Sequence, residues 1–179
     1  MLYNKLYMNS VDPAHEIGEN VTITDKSQLR SITPEQAIKI KSLRIENQVI
    51  DDIVRFKLLY YADNLYSVYF VGCNFFEGGW LVLNCAPTVS EIGFVNCLLS
   101  VDDLDRLLSA LYPHHPTEVL DLTGNRLGDD PLRFVKCLSK NVFNFKSLSK
   151  LVISGNGFCP SIVPLLKETS NYCVDEIVL

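Results

Sequence analysis

The chain has 179 residues, enough for one domain of ordinary size. An apolar content of 47% with 21% charged residues excludes a disordered chain. A net charge of -5, with no run of Lys or Arg, excludes the concentrated basic face of a nucleic-acid binder.

The chain opens MLYNKLYMN, where Asn4, Lys5 and Asn9 break any continuous apolar stretch, so this start does not read as a signal peptide. No apolar run approaches ~18 residues, so no membrane-spanning helix is expected. Residues 1–39 are expected to form an N-terminal cap or flank. Within them Val21 and Ile23 alternate like a short strand. Thr33, followed by Pro34 and then by Gln36 three residues on, predicts a helix start with a reciprocal cap.

From Ile40 onward one pattern recurs. It is plainest at Val119 to Leu127 (VLDLTGNRL) and at Leu151 to Phe158 (LVISGNGF). Each contains apolar-x-apolar-x-x-Asn-x-apolar. The same register fits Ile40, Leu43, Ile45, Gln48 and Ile50, and then Leu65, Val68, Phe70, Cys73 and Phe75. It fits Val89, Ile92, Phe94, Cys97 and Leu99, then Thr117, Leu120, Leu122, Asn125 and Leu127, and then Leu148, Leu151, Ile153, Asn156 and Phe158. With four apolar slots in each of five units, only Thr117 fails. An apolar content of 47% would fill about half by chance. A partial unit starts at Val174, with Ile177 and Leu179 in phase.

This pattern resembles the leucine-rich repeat, with apolar positions 1, 4, 6 and 11 and Asn or Cys at position 9. The starts near 40, 65, 89, 117, 148 and 174 lie 24 to 31 residues apart, against a family range of about 20–29. The longer spacings resemble the ribonuclease-inhibitor-like class. The resemblance covers residues 40–179. It implies an α/β leucine-rich-repeat solenoid, right-handed, with parallel strands on a concave face and helices on a convex one.

Positions 4 and 6 alternate along a strand and should point inward. Gln48, Cys73, Cys97, Asn125 and Asn156, at position 9, form a structural ladder, where an amide can satisfy backbone groups that would otherwise be buried unpaired. Gly72, Gly124 and Gly155 precede it and suit a tight turn. Asp51 and Asp52, Asp102 and Asp103, and Asp129 and Asp130 recur just after position 11, which favours helix capping over metal or acid–base chemistry. Leu104, Leu107, Leu108 and Leu111 have the spacing of an inward helical stripe, repeated more briefly by Leu132 with Val135 and by Ile162 with Leu165 and Leu166.

No catalytic or cofactor motif is present, and no metal site is expected. His114 and His115 lie in a Pro-flanked loop and are expected to be solvated. Cys73, Cys85, Cys97, Cys137, Cys159 and Cys173 show no CxxC, and reduced, mostly buried thiols in a cytoplasmic protein are expected. Cys173-Val174-Asp175 is similar to the Cys-x-Asp of a class of bacterial ubiquitin ligases that carry leucine-rich repeats, but that class places its cysteine in a separate catalytic domain.

The resemblance implies a non-catalytic protein-binding module, with a partner on the concave face. Arg44, Glu46, Tyr69, Val71, Glu91, Val95, Val119, Asp121, Thr123, Lys150 and Val152 are the candidate contacts. Small members of this architecture include effectors that intracellular bacteria deliver into host cells, which is the reading favoured here. The alternatives are a cytosolic adaptor, a fragment of a larger sensor or ligase scaffold, or a cysteine-dependent transferase using Cys173 or Cys159. The expected state is a monomer, with an edge-mediated dimer through residues 174–179 as the alternative. No nucleic-acid or membrane partner is expected.

Overall fold

The structure, a computed structural model, describes residues 18–51, 63–76, 88–111, 113–169 and 174–179. Seven of its strands form one sheet: β1 (Asn20–Ile23), β2 (Ser42–Glu46), β4 (Ser67–Val71), β6 (Glu91–Val95), β7 (Val119–Asp121), β8 (Lys150–Val152) and β9 (Glu176–Val178). They are ordered as they occur in the chain, and every pairing is parallel. Two short strands, β3 (Val49–Ile50) and β5 (Asn74–Phe75), pair separately. The protein is therefore α/β with a parallel central sheet.

The register is constant. Leu43, Val68, Ile92, Leu120, Leu151 and Ile177 are partners across the sheet, and Ile45 pairs with Phe70 and Phe70 with Phe94. Constancy follows from burial: a slip by one residue would turn every inward side chain outward. Leu43, Ile45, Val68, Phe70, Ile92, Phe94, Leu120, Leu122 and Leu151 are all fully buried. Each contributes roughly 1.5–3 kcal/mol of apolar burial. The upstream pair Val21 and Ile23 also lies in a strand, since β1 pairs with β2 through Val21–Leu43 and Ile23–Ile45. At the other end Val174 is buried and Ile177 packs on the core, while Leu179 is exposed.

Thr117, the one polar residue in an apolar slot, is also fully buried. Its Oγ1 lies 3.4 Å from the Val89 carbonyl oxygen and 2.7 Å from His115 Nδ1. His115 is accordingly buried, against the expectation of a solvated pair; only His114 is exposed. The loop around it is fixed by two backbone bonds, from His115 N to the Asn144 oxygen and from Lys146 N to the His115 oxygen.

Five described helices accompany the strands. α1 (Lys26–Ser31) is capped by Asp25 with Gln28 in reciprocal position, and α2 (Pro34–Ala37) by Thr33 with Gln36. α3 (Val101–Ser109) starts at Ser100, whose Oγ accepts from Asp103 N while Asp103 accepts from Ser100 N. α4 (Pro131–Asn141) is capped by Asp130, and α5 is Ile162–Thr169. The acidic pairs thus divide their work. Asp103 and Asp130 serve the caps, Asp102 pairs with Arg133 on α4, and Asp51 pairs with Lys26 at 2.7 Å. Asp52 lies outside the described residues.

Leu104, Leu107, Leu108 and Leu111 form the expected inward stripe. Leu132 does not belong to one. It is 67% exposed, because Phe134, Val135 and Leu138 set the inward phase of α4 and Leu132 falls on the far side of that helix. No described helix is long and apolar enough to cross a membrane.

Candidate protein-binding face

A strand sends alternate side chains to opposite faces. With positions 4 and 6 inside, positions 3, 5 and 7 form outward rows across neighbouring strands. Row 3 runs Ser42, Ser67, Glu91, Val119, Lys150 and Glu176; row 5 runs Arg44, Tyr69, Gly93, Asp121, Val152 and Val178. Row 7 adds Glu46, Val71 and Val95, continued by Thr123 through the bond from Asn96 N to its oxygen. All but Ser67 and Gly93 retain solvent exposure. The structure therefore gathers every expected contact residue on one face.

The turn after each strand explains why the rows stay aligned. Asn125 Nδ2 donates to the oxygens of Phe94 (2.6 Å), Leu122 (2.8 Å) and Thr123 (3.3 Å), and its Oδ1 accepts from Cys97 N and Leu99 N, each at 3.1 Å. Asn156 repeats this one strand on, donating to Leu122 and Ile153 and accepting from Leu127 N. Cys97 Sγ reaches the Phe70 oxygen and Cys73 Sγ the Ile45 oxygen, both at 3.3 Å, and Gln48 donates to the Thr24 oxygen at 2.7 Å. Each residue ties its own turn to the strand before it. The preceding residues, Asn47, Gly72, Asn96, Gly124 and Gly155, all take left-handed backbone angles, with φ between 53° and 70°. At Gly124 glycine is also required for space, because a Cβ there would overlap the Asn96 side chain.

Charge is distributed unevenly over the outward face. Arg44 pairs with Glu46 at 2.5 Å and Lys150 with Glu176 at 2.9 Å, so the cations at both flanks are neutralised locally. Glu91, Glu118 and Asp121 have no cationic partner among the described residues. Asp121 only accepts from Thr123 N (2.9 Å) and Thr123 Oγ1 (2.6 Å). Between them the Tyr69 ring lies over Gly93, where any Cβ would overlap it. Burial, then the charges of Glu91 and Asp121, raise the Tyr69 phenol above its ordinary value against a smaller opposing effect of Arg44. Glu91 first, then burial and Glu118, raise the exposed Tyr66 phenol as well.

The outward rows were legible in the repeat phase, but the packing of the Tyr69 ring over Gly93 was not. Its signal was glycine in a row where the neighbouring strands carry side chains.

The thiols separate by environment. Burial pushes Cys97 and Cys137 up to about 12 and raises Cys73. Cys159 is exposed, and hydrogen bonds from the Ser161 side chain and backbone lower it. Iodoacetamide near neutral pH should therefore modify Cys159 and spare Cys73, Cys97 and Cys137 in the folded protein. Peptide mapping by mass spectrometry checks this, and modification of Cys97 at the rate of Cys159 would contradict the buried ladder. Cys85 and Cys173 lie outside the described residues. No group of three or more His, Cys, Asp or Glu among the described residues is placed to hold a metal ion. A groove between α3 and α4 is lined by charged groups that largely pair across it, Arg133 with Asp102 and Lys140 with Asp105.

No protein-family model matches the chain, and no curated protein matches it significantly.

Proposed function

We propose that this chain is a leucine-rich-repeat solenoid of the ribonuclease-inhibitor-like kind, and that it serves as a non-catalytic module binding a partner protein on its concave face. The repeat reading is supported by parallel strands in sequence order and constant register, with a position-9 residue bonding back to the preceding strand. The observation that carries the binding reading is the outward sheet face, whose rows keep Tyr69, Val71, Val95, Val119 and Val152 partly exposed across consecutive strands. Those side chains have no core slot to fill. An aromatic anchor among aliphatic residues with a charged rim is the usual composition of an interface centre. Repeat proteins of this build use their extended curved surface for partners.

Capture of partners from a eukaryotic lysate, read by mass spectrometry, tests the proposal. Tyr69→Ala with Asp121→Arg should reduce recovery of the specific partner by about 30-fold or more, the loss typical of a hot-spot residue. Lys136→Glu with Leu132→Ala, on the exposed side of α4, should leave it nearly unchanged. Equal losses from both pairs, with both proteins folded by circular dichroism, would reject the face.

A further inference from the structure

We propose that Asn156 is a site of spontaneous deamidation gated by the fold, so that the Asn156–Gly157 pair converts an opening of the turn between β8 and α5 into permanent loss of that rung of the ladder.

The chemistry starts in the sequence. Asn156 is the one asparagine of the chain that is followed by glycine. An asparagine cyclises when the backbone nitrogen of the next residue, having lost its proton to hydroxide, attacks Cγ. A new N–Cγ bond forms, the Cγ–Nδ2 bond breaks, and the departing nitrogen takes up a proton and leaves as ammonia. Water then opens the succinimide ring at either of its two carbonyl carbons, which gives aspartate or isoaspartate. Water is the only co-reactant consumed. Glycine is the most permissive successor, because it has no Cβ to obstruct the attack and its backbone turns freely.

The folded chain withholds what this reaction needs. Asn156 is 6% exposed. Its Nδ2 donates to the oxygens of Leu122 (2.9 Å), Ile153 (3.0 Å) and Ser154 (3.3 Å), and its Oδ1 accepts from Leu127 N at 3.3 Å. Gly157 is held in the left-handed region, with φ of 77°. To cyclise, the amide must leave all of these partners and swing toward Gly157 N. Reaction therefore proceeds from molecules in which the turn has opened, and its rate tracks their population when opening and closing are fast beside the chemistry.

The product does not fit the place it left. In aspartate, the oxygen that replaces Nδ2 carries charge and no proton, and it faces three carbonyl oxygens in a buried site. Isoaspartate also reroutes the main chain through Cγ and lengthens the turn. The Leu122 oxygen accepts from Asn125 Nδ2 as well as from Asn156 Nδ2, so the disturbance reaches the neighbouring rung.

The test holds the full-length chain in mildly alkaline buffer, folded in one sample and unfolded by guanidinium chloride in another. Mass spectrometry follows the peptides that contain Asn156 and Asn125. Deamidation at Asn156 should be about a hundredfold or more slower in the folded sample. Asn125, whose successor is Arg126, should stay largely intact in both. The unfolded sample is then returned to native buffer. Chains deamidated at Asn156 should show a folding equilibrium constant lowered by about tenfold to a hundredfold, and Asn156→Asp should match them. Urea unfolding followed by circular dichroism reads both. Equal rates at Asn156 in folded and unfolded chains would overturn the gating, and a deamidated chain as stable as the parent would overturn the permanent loss. The rate comparison uses the unsubstituted chain, so it decides the gating even where Asn156→Asp fails to fold.

Discussion

Phe94→Ala should lower the unfolding free energy by about 3–5 kcal/mol, the cost of deleting a buried aromatic ring. Phe94 is fully buried and stacks on Phe70 at 5.5 Å with an interplanar angle of 9°. Phe75 meets both rings edge-on, at 5.4 Å from each. The three rings come from β4, β5 and β6, so the cluster joins the main sheet to the small one. Its loss removes apolar burial, two ring contacts and the filling of a space that the fixed strands cannot close. Urea unfolding followed by circular dichroism reads the effect, with Leu132→Ala as the exposed control, expected within about 0.5 kcal/mol of the parent. A loss below about 1 kcal/mol for Phe94→Ala would mean that the ring cluster does not form.

Asn125→Ala should be nearly as damaging, though it removes no apolar surface. Its side chain makes five hydrogen bonds, three as donor and two as acceptor. Truncation strands backbone groups of two consecutive turns inside the protein. A single orphaned buried group costs about 1–3 kcal/mol, and the substitution should reach the upper end of that range. Asn125→Cys provides a graded comparison. Cys97 occupies the equivalent place one strand earlier, donating through Sγ to the Phe70 and Val95 oxygens. A thiol at 125 keeps a weak donor but is a poor acceptor for Cys97 N and Leu99 N, so it should recover only part of the loss. Thermal melts of the two variants measure this, and equal stability for parent and Asn125→Ala would remove the ladder from the account.

What could be read from the sequence was what repeats with the period of the backbone. Alternation at Leu120 and Leu122, or at Ile92 and Phe94, marks a strand directly, because burial there depends only on side-chain direction. The Leu104 to Leu111 stripe and the Thr33–Gln36 cap are equally local. Where two elements compete for one residue, local spacing misleads. Leu132 and Val135 are three apart and look like one stripe, but Phe134 and Leu138 turn α4 the other way. His115 sits in a loop that reads as solvated; a hydroxyl on Thr117 and the short 3-10 turn ending at Asn144 hold it inside. The left-handed turns at Asn47 and Asn96 were less legible because asparagine adopts that backbone only occasionally, where glycine does so routinely. The outward rows followed from the repeat phase. The cover of Gly93 by an aromatic ring did not, because it depends on which way the Tyr69 side chain lies.

The sequential order of the strands also bears on how the chain finds its structure. Paired positions are separated by as few as 22 residues (Val21 with Leu43) and as many as 31 (Leu120 with Leu151). Closing a flexible loop costs entropy that grows only with the logarithm of its length, so the shortest and longest of these closures differ by about 0.3 kcal/mol. No pairing waits on a long excursion of chain, as it must in a parallel sheet whose neighbouring strands are remote in sequence. Each new rung needs only the rung beside it as a template, and the two ends of the molecule never have to meet for its middle to form.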